Sequence, residues 1–193
     1  MDSIGLSLSP VLGLSWLKDL RMEYCNLSCL PNEVGNLISL ETLNLSGNNL
    51  PTLPNSICDL TLLKNLNLSD CDVLHLPGEI GQLISLKRLY LGGNNLLTLP
   101  DSFCDLACLS YLDLKDCNLS HLPDRIGMLS SLMSLNLERN NVFSLPNSFS
   151  DLVSLEKVYL SNCRLESLPE LPASLESLIL GTVEGSNHFQ SFQ

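Results

Sequence analysis

A motif of leucines that returns every 23 residues is the feature that most constrains this chain. In its clearest copy, residues 86–100, leucines occupy positions 1, 4, 6, 11 and 14, with asparagine at position 9 and proline at position 15. Copies in the same register begin at residues 17, 40, 63, 86, 109, 132 and 155, and a shortened one begins at residue 175. A fixed period of this length indicates a solenoid, in which each repeat buries its apolar face against its neighbours.

The pattern within each copy predicts a strand. Positions 4 and 6 are apolar and positions 3, 5 and 7 are mostly polar, which is the period of a half-buried β-strand. Equal connections of this length bring each strand back parallel to the one before it. We predict eight strands, at 19–23, 42–46, 65–69, 88–92, 111–115, 134–138, 157–161 and 177–181. The predicted fold is an α/β leucine-rich-repeat solenoid, with a curved parallel sheet on the concave side and short helical or extended segments on the convex side.

The residue at position 9 divides the copies into two alternating kinds, so that the unit of duplication is 46 residues. Odd copies have cysteine there and even copies have asparagine: Cys25, Cys71, Cys117 and Cys163 against Asn48, Asn94 and Asn140. Position 9 lies where the strand turns inward. We therefore expect the asparagine amide to satisfy backbone groups of the turn that water cannot reach.

The regular pattern also predicts the domain boundaries. Residues 1–16 match the end of a partial preceding repeat, residues 17–181 form the solenoid of seven repeats and a short terminal strand, and residues 182–193 form a frayed tail. We expect Leu6, Leu8 and Trp16 to cover one end of the array. Phe189 and Phe192 are candidates to fold over the other end.

The spacing of the cysteines excludes disulfides between those at position 9. They lie two repeats apart, or roughly 9–10 Å at the spacing of parallel strands, whereas a disulfide requires Cα atoms within about 7 Å. We predict reduced thiols that act as small buried groups, as is usual in the cytosol. A zinc site has little support, since no C-x-x-C motif occurs and His75 and His121 are themselves two repeats apart.

Composition and missing motifs exclude several classes of function. The formal net charge is −11 and the ten Lys and Arg residues are scattered, so a nucleic-acid partner is not expected. No apolar run approaches the ~20 residues of a membrane span, and the start Met1–Ile4 lacks the basic and apolar regions of a secretory leader. No phosphate-binding loop or G-x-S-x-G motif is present. We expect no enzymatic activity, no cofactor and no metal site.

The concave strand face is the predicted recognition surface, because there the side chains of successive repeats form a rigid array. Its first strands offer mainly Thr, Asn and Ser, whereas from the fourth repeat onward tyrosines and charged residues collect, and Tyr and Arg are enriched in binding hot spots. The alternative is that exposed strand positions simply favour tyrosine. The candidate residues for protein binding are Arg88, Tyr90, Tyr111, Asp113, Lys115, Asn136, Glu138, Arg139, Lys157 and Tyr159.

Two segments carry a family resemblance. The run LNLSGNNLPTLPNSI at 43–57 and the closing run LESLPELPASLESL at 165–178 resemble the repeat domain of plant disease-resistance proteins, in particular the TIR-type nucleotide-binding leucine-rich-repeat receptors. The resemblance covers roughly residues 14–180. It implies a cytoplasmic or nuclear protein that recognises a pathogen effector or a guarded host protein, and that restrains a nucleotide-binding domain in cis. Because TIR and nucleotide-binding sequences are missing here, the chain would be a fragment or a truncated relative.

Two other functions fit the same repeats. A stand-alone intracellular scaffold of the Ras-group type uses similar 23-residue L-P-x-x-I units. A secreted receptor ectodomain would carry sugar at sequons such as Asn44, although Asn-Leu-Ser also arises readily from the repeat pattern itself. Both alternatives remain non-enzymatic protein-recognition modules.

Overall fold

A computed structural model describes residues 8–181 of the chain as a single parallel sheet with a row of short helical turns behind it. The eight strands follow one another in space in the order of the sequence, which confirms the predicted solenoid. They are β1 (Asp19–Arg21), β2 (Thr42–Asn44), β3 (Asn65–Asn67), β4 (Arg88–Tyr90), β5 (Tyr111–Asp113), β6 (Ser134–Asn136), β7 (Lys157–Tyr159) and β8 (Ser177–Ile179). Each strand up to β7 pairs in register with the strand 23 residues away, as Leu43 pairs with Leu66.

Every strand begins at the predicted residue but ends two residues earlier than predicted. After β1 to β7 the chain turns at position 8, where the backbone takes a positive φ, for example 70° at Gly47 and 53° at Asp70. Neighbouring repeats remain hydrogen-bonded through this turn, since the N–H groups of Leu45 and Gly47 donate to the carbonyls of Asn67 and Ser69 at 2.9 Å. The sheet therefore continues as a bonded turn rather than as regular strand.

Short helical turns form the convex side, as the prolines predict. A four-residue helix, α1 (Ser9–Leu12), precedes the sheet. Single 3-10 turns follow between successive strands up to β7, at Asn32–Asn36, Asn55–Asp59, Ile80–Gln82, Asp101–Asp105, Ile126–Met128 and Asn147–Asp151. Where proline precedes such a turn directly it is extended, with φ near −70° at Pro54, because its ring fixes φ and steers the chain into the turn.

The space between the two layers is filled by aliphatic side chains. Leucines at positions 4 and 6, such as Leu89, Leu91 and Leu112, have no exposed surface, and burying each of them contributes about 2 kcal/mol. Behind the sheet the predicted spine at position 18 is likewise fully buried: Val34, Ile57, Ile80, Phe103, Ile126 and Phe149. The core is thus continuous from one repeat to the next.

Asparagine at position 9 satisfies the backbone of the turn, as predicted. The side-chain nitrogen of Asn94 donates to the carbonyls of Leu68 at 2.8 Å and Leu91 at 2.6 Å. Its Oδ1 accepts hydrogen bonds from the N–H groups of Cys71 at 3.2 Å and Val73 at 2.8 Å. Four buried backbone groups in two neighbouring repeats therefore depend on one amide.

Cysteine at position 9 replaces only part of that network. The thiol of Cys117 donates to the carbonyl of Leu91 at 3.1 Å and lies 3.5 Å from that of Lys115, and its sulfur faces the backbone N–H of Asn94. Burial raises the pKa of this thiol to about 12, so it stays protonated and remains a donor. In three of these turns position 10 also takes a positive φ, at Asn26, Asp72 and Asn118. All eight cysteines are free thiols in the structure.

The 46-residue duplication has a physical basis on the convex side. A Cβ added to Gly81 or Gly127 would lie 2.2 Å from the carbonyl oxygen of Ser102 or Ser148 in the following repeat. Glycine at these positions lets the 3-10 turn of a cysteine repeat approach the turn of the next asparagine repeat. Each pair of repeats is therefore a closely packed unit.

The ends of the array differ in part from the prediction. Leu8 is buried together with Leu12, whereas Trp16 is 70% exposed and does not cover the end. Its position explains this, because Trp16 lies in a surface turn directly before β1. Leu6, Phe189, Phe192 and the predicted tail at 182–193 lie outside the described residues. The boundaries at 16 and 181 stay predictions.

Candidate protein-recognition surface

The strands present two columns of side chains on the concave surface. In each of β1 to β7 the middle residue is buried and the two flanking residues are partly or fully exposed. Because the strands pair in register, equivalent side chains stack about 4.8 Å apart. The sheet is therefore a rigid frame on which the character of each column decides what can bind.

The two columns begin with a charged pair in β1, Asp19 and Arg21 at 3.0 Å, and change character again at β4. In β2 and β3 they contain Thr42, Asn44, Asn65 and Asn67, which are small or uncharged polar residues. From β4 to β7 they contain Arg88, Tyr90, Tyr111, Asp113, Ser134, Asn136, Lys157 and Tyr159. The structure thus brings seven of the ten predicted binding residues into two adjacent columns.

A contact between two tyrosines lies at the centre of this second half. The rings of Tyr90 and Tyr111 have centroids 5.1 Å apart and planes inclined by 40°. Both side chains are half-buried, and tilted aromatic pairs at this distance attract each other by about 0.5–1.5 kcal/mol beyond their buried area. The pair therefore forms an ordered apolar platform on the concave face.

Asp113 lies beside that platform and is partly dehydrated. Burial raises the pKa of its carboxyl group, with the charge of Glu138 acting in the same direction and Lys115 opposing it. Burial also raises the pKa of the Tyr111 phenol, to which Asp113, Tyr90 and Tyr159 add smaller contributions. The Asp113 carboxylate therefore lies close enough to Tyr111 to disfavour ionisation of its phenol.

Asp113 and Asn136 also have a structural role that the sequence analysis missed. Asp113 Oδ1 accepts the N–H of Lys115 at 3.0 Å, and Asn136 Oδ1 accepts the N–H of Glu138 at 3.0 Å. Asn44 and Asn67 form the same bond with the residue two positions on. The recurring Asn or Asp at position 5 was the available signal, because such side chains favour turns of this kind.

The remaining charged candidates surround the tyrosines. Arg88 donates to Asn65 Oδ1 at 2.9 Å, Lys115 pairs with Glu138 at 3.1 Å, and Lys157 is exposed in β7. Arg139 differs, since it is the residue of positive φ in its turn and lies 3.9 Å from Asp116. It therefore borders the strand-end edge instead of the two central columns.

A shallow groove adjoins the cluster at the carboxyl ends of β3 to β5. It has a volume of about 280 Å³ and is lined by Ser69, Asp70, Gly92, Gly93, Asp113, Lys115 and Asp116. Because Gly92 and Gly93 have no side chains, the surface is recessed between Asp70 and Asp116. The groove extends the tyrosine surface toward an acidic rim.

Residues 8–181 offer neither a cluster of metal-ligating side chains nor a membrane-spanning helix. In that part of the chain no group of three or more His, Cys, Asp and Glu side chains is arranged to hold a metal ion. Among the same residues no helix has the length and hydrophobicity needed to cross a bilayer.

Family models agree with the repeat geometry along nearly all of the chain. A model described as a leucine-rich repeat region matches residues 2–91, a leucine-rich-repeat model matches residues 109–165, and another matches residues 85–106 and 154–180. The chain is a leucine-rich-repeat domain. Domains of this fold typically serve as protein-interaction scaffolds without enzymatic activity.

Curated relatives share short stretches with this leucine-rich-repeat domain. It is 49% identical over 51 residues to disease resistance-like protein DSC1 of Arabidopsis thaliana, a match that covers 26% of this chain and 4% of that protein. It is 45% identical over 62 residues to TMV resistance protein N of Nicotiana glutinosa, covering 31% of this chain and 5% of that protein. The matched segments thus span a small part of either relative.

Solved structures share the fold over most of the domain. A leucine-rich-repeat protein of Leptospira interrogans aligns with a TM-score of 0.62 and 28% identity over 96% of this chain and 59% of that one. The plant peptide hormone receptor RGFR1, solved in complex with RGF2, aligns with a TM-score of 0.75 and 27% identity over 89% of this chain and 30% of the receptor. The repeat domain of the type III effector XopL aligns with a TM-score of 0.68 and 27% identity over 86% and 70% of the two chains.

Proposed function

We propose that this leucine-rich-repeat domain recognises a protein ligand through the second half of its concave face. The observation that carries the proposal is the ordered contact between Tyr90 and Tyr111 beside the partly dehydrated Asp113. Half-buried tyrosines combine a large contact area with directional hydrogen bonds, and they lose little conformational entropy on binding. Tyr159 and the charged side chains around them then supply the polar rim of the interface.

The rigidity of the sheet supports this proposal. The tyrosines stand on strands whose middle residues, Leu89, Leu112 and Val158, are fully buried. Their positions are therefore fixed before a ligand arrives, which lowers the entropic cost of association. The receptor RGFR1, which aligns over 89% of this chain, was solved in complex with RGF2, so the same fold holds a peptide ligand in that protein.

We further infer that the domain is the ligand-sensing and autoinhibitory part of a plant intracellular immune receptor. The matches to DSC1 and to the TMV resistance protein N support this role. The ligand would be a pathogen effector or a guarded host protein, and a nucleotide-binding domain in cis would be the restrained partner. The domain itself performs no catalysis in this proposal and acts in the cytoplasm or nucleus.

The recognition surface is tested by selection of ligands from a displayed peptide library on the immobilised domain. We expect the selected peptides to bind the Tyr90→Ala/Tyr111→Ala variant roughly 10- to 100-fold more weakly, as for loss of two hot-spot residues. The matched control is Thr42→Ala/Ser46→Ala, which alters the first half of the same face and should leave affinity unchanged. Equal affinity for the tyrosine variant, with its circular dichroism spectrum preserved, would falsify the proposal.

The immune role is tested separately by sequencing the genomic region on both sides of the coding sequence. We expect TIR and nucleotide-binding sequences in the same reading frame. A reading frame that encodes leucine-rich repeats alone would favour the scaffold alternative. A secretory leader in that frame would instead favour the receptor ectodomain.

A further inference from the structure

A second surface lies at the edge of the sheet where the strands begin, outside the concave face. Each repeat has a two-residue turn just before its strand, and the first four turns each carry one large apolar side chain. These are Trp16, Ile38, Leu62 and Ile84, which are 70%, 58%, 52% and 61% exposed. We call these four residues the turn stripe. Turns usually hold polar residues, so an exposed apolar residue in each of four successive turns calls for a physical reason.

The turn stripe alternates between the two residues of the turn: Trp16 and Leu62 hold the second position, and Ile38 and Ile84 hold the first. The other residue of each turn is a small hydroxyl residue: Ser15, Ser39, Thr61 and Ser85. In the next two turns the large apolar residues are absent, since residues 107–108 are Ala-Cys and residues 130–131 are Ser-Ser. Single exposed apolar residues are ordinary, but contiguous ones mark interaction sites.

Backbone contacts fix the spacing of the turn stripe. The N–H of Ser39 donates to the carbonyl of Ser15 at 3.3 Å, and the N–H groups of Lys64 and Lys87 donate to the preceding repeat at 2.8 Å. Successive turns are therefore about one strand spacing apart, roughly 4.8 Å. An α-helix presents apolar side chains on one face about every 3.6 residues, or 5.4 Å along its axis. A helix of about twelve residues, whose positions i, i+4, i+7 and i+11 span roughly 16 Å, thus approximates the roughly 14 Å between the first and the last turn of the stripe.

The charged residues beside the turn stripe indicate the charge expected of the partner. The side chains two residues into each repeat form a parallel column that contains Lys18, Glu41, Lys64 and Lys87. Glu41 is held between Lys18 at 3.3 Å and Lys64 at 2.6 Å. This column has a net positive charge in a chain whose formal net charge is −11, so it favours carboxylates flanking the apolar face of a ligand.

We propose that the turn stripe docks an acidic amphipathic helix of a partner protein. Its apolar residues at i, i+4, i+7 and i+11 would contact Trp16, Ile38, Leu62 and Ile84, while acidic residues on its flank face the lysine column. An anionic membrane fits the surface less well, because the strongly acidic chain as a whole would be repelled and the stripe is only two positions wide. The turn stripe is distinct from the tyrosine surface of the proposed function.

Trp16 allows a direct test, because it is the chain's single tryptophan and lies in the stripe. The probe is a helix-stapled peptide with leucines at i, i+4, i+7 and i+11 and glutamates on both flanks. We expect a saturable blue shift of Trp16 emission with this peptide, and weaker binding of an analogue whose glutamates are lysines. Ile38→Asp/Ile84→Asp should weaken binding roughly tenfold or more, whereas Val153→Asp, at an equally exposed turn in the second half, should not.

Two further measurements make the outcome decisive. Lys87→Glu should shift the preference toward the lysine analogue, and Tyr90→Ala/Tyr111→Ala should leave binding of the acidic peptide unchanged, which separates this inference from the proposed function. No shift with the acidic peptide, or equal affinity for both analogues, would overturn the proposal. A blue shift with phosphatidylserine vesicles but not with the peptide would overturn the proposal and indicate a membrane as the partner. A blue shift that depends on protein concentration alone would overturn it and indicate a second copy of the chain.

Discussion

The two halves of the sheet share one framework but display their large side chains in different places. In the first half, up to Ile84, large apolar residues occupy the turns before the strands, and β2 and β3 offer mainly Thr and Asn on the concave face. In the second half two successive turns have small residues, Ala-Cys and Ser-Ser, and Tyr90, Tyr111 and Tyr159 stand on the concave face. A solenoid can therefore carry two surfaces that differ in chemistry without any change in its fold.

The two halves can differ on the surface because the core depends on other positions of the repeat. Position 4 is a fully buried aliphatic in β2 through β7, as at Leu43 and Leu135, because a cavity there would cost about 2–5 kcal/mol. Positions 3 and 5 lie outside the core. Asn or Asp at position 5 bonds to the turn in four repeats, but Arg21, Tyr90 and Tyr159 take the same position in others, so the fold tolerates tyrosine there.

The largest expected effect tests whether the framework is the same in both halves. Asn48→Ala removes the partner of the Leu27 N–H and of the Met22 and Leu45 carbonyls, and Asn140→Ala does the same in the second half. Since several buried backbone groups lose their partners, each substitution should lower the free energy of unfolding by about 3 kcal/mol. Urea denaturation measures both values.

A matched control shows which result would contradict the role of the two buried asparagines. The exposed control Asn147→Ala, at a convex turn, should change stability by less than about 0.5 kcal/mol. If Asn48→Ala and Asn140→Ala were as mild as this control, the buried amides would not hold the turns. If only one of the two substitutions lowered the free energy of unfolding, the two halves would not share the same framework.

A smaller effect is expected at Asp113. This residue of β5 is charged, whereas the same position in β2, β3 and β6 is asparagine. Its pKa is raised above the usual 3.8, chiefly by burial, so the folded chain holds the proton more tightly than the unfolded chain. The stabilisation from protonation is complete below pH 3.8 and is lost as the pH rises through the folded pKa. At neutral pH the carboxylate therefore lowers stability.

Asp113→Asn should remove the destabilisation that the buried carboxylate causes at neutral pH, and it keeps the oxygen that accepts the Lys115 N–H. We expect a gain at pH 7 of no more than about 1 kcal/mol, because Asp113 remains partly solvated, and a difference that vanishes below pH 3.8. Thermal unfolding across this range measures it. The control Asp101→Asn removes an exposed charge on the convex side. A gain for Asp113→Asn that is pH-independent, or no larger than the control, would contradict the burial of this carboxyl.

Most of the fold could be predicted from the sequence because the 23-residue period places every strand. All eight strands begin where the pattern predicts, and the spine from Val34 to Phe149 is buried. The strand ends were wrong because the pattern of apolar residues does not report backbone φ, which is positive at Asp70 and Arg139. Trp16 was misplaced for a related reason, since hydrophobicity alone does not distinguish a buried end from an exposed turn.

The candidate site could be predicted only in part. Its columns follow from strand periodicity, so Tyr90, Tyr111 and Asp113 were placed on one face. The ring contact between Tyr90 and Tyr111 joins neighbouring strands diagonally and depends on side-chain rotamers, which no spacing rule supplies. The turn stripe was missed altogether, because its residues belong to the repeat pattern and are distinguished only by their exposure.

Photo-crosslinking tests the central claim, that ligand binds the second half of the concave face, most directly. A benzoylphenylalanine side chain is introduced in place of Tyr111 or, as the matched position in the first half, in place of Asn65, and a peptide selected on the unmodified domain is added. We predict a crosslink from position 111 and none from position 65, with the product identified by mass spectrometry. A crosslink from position 65 alone would contradict the account.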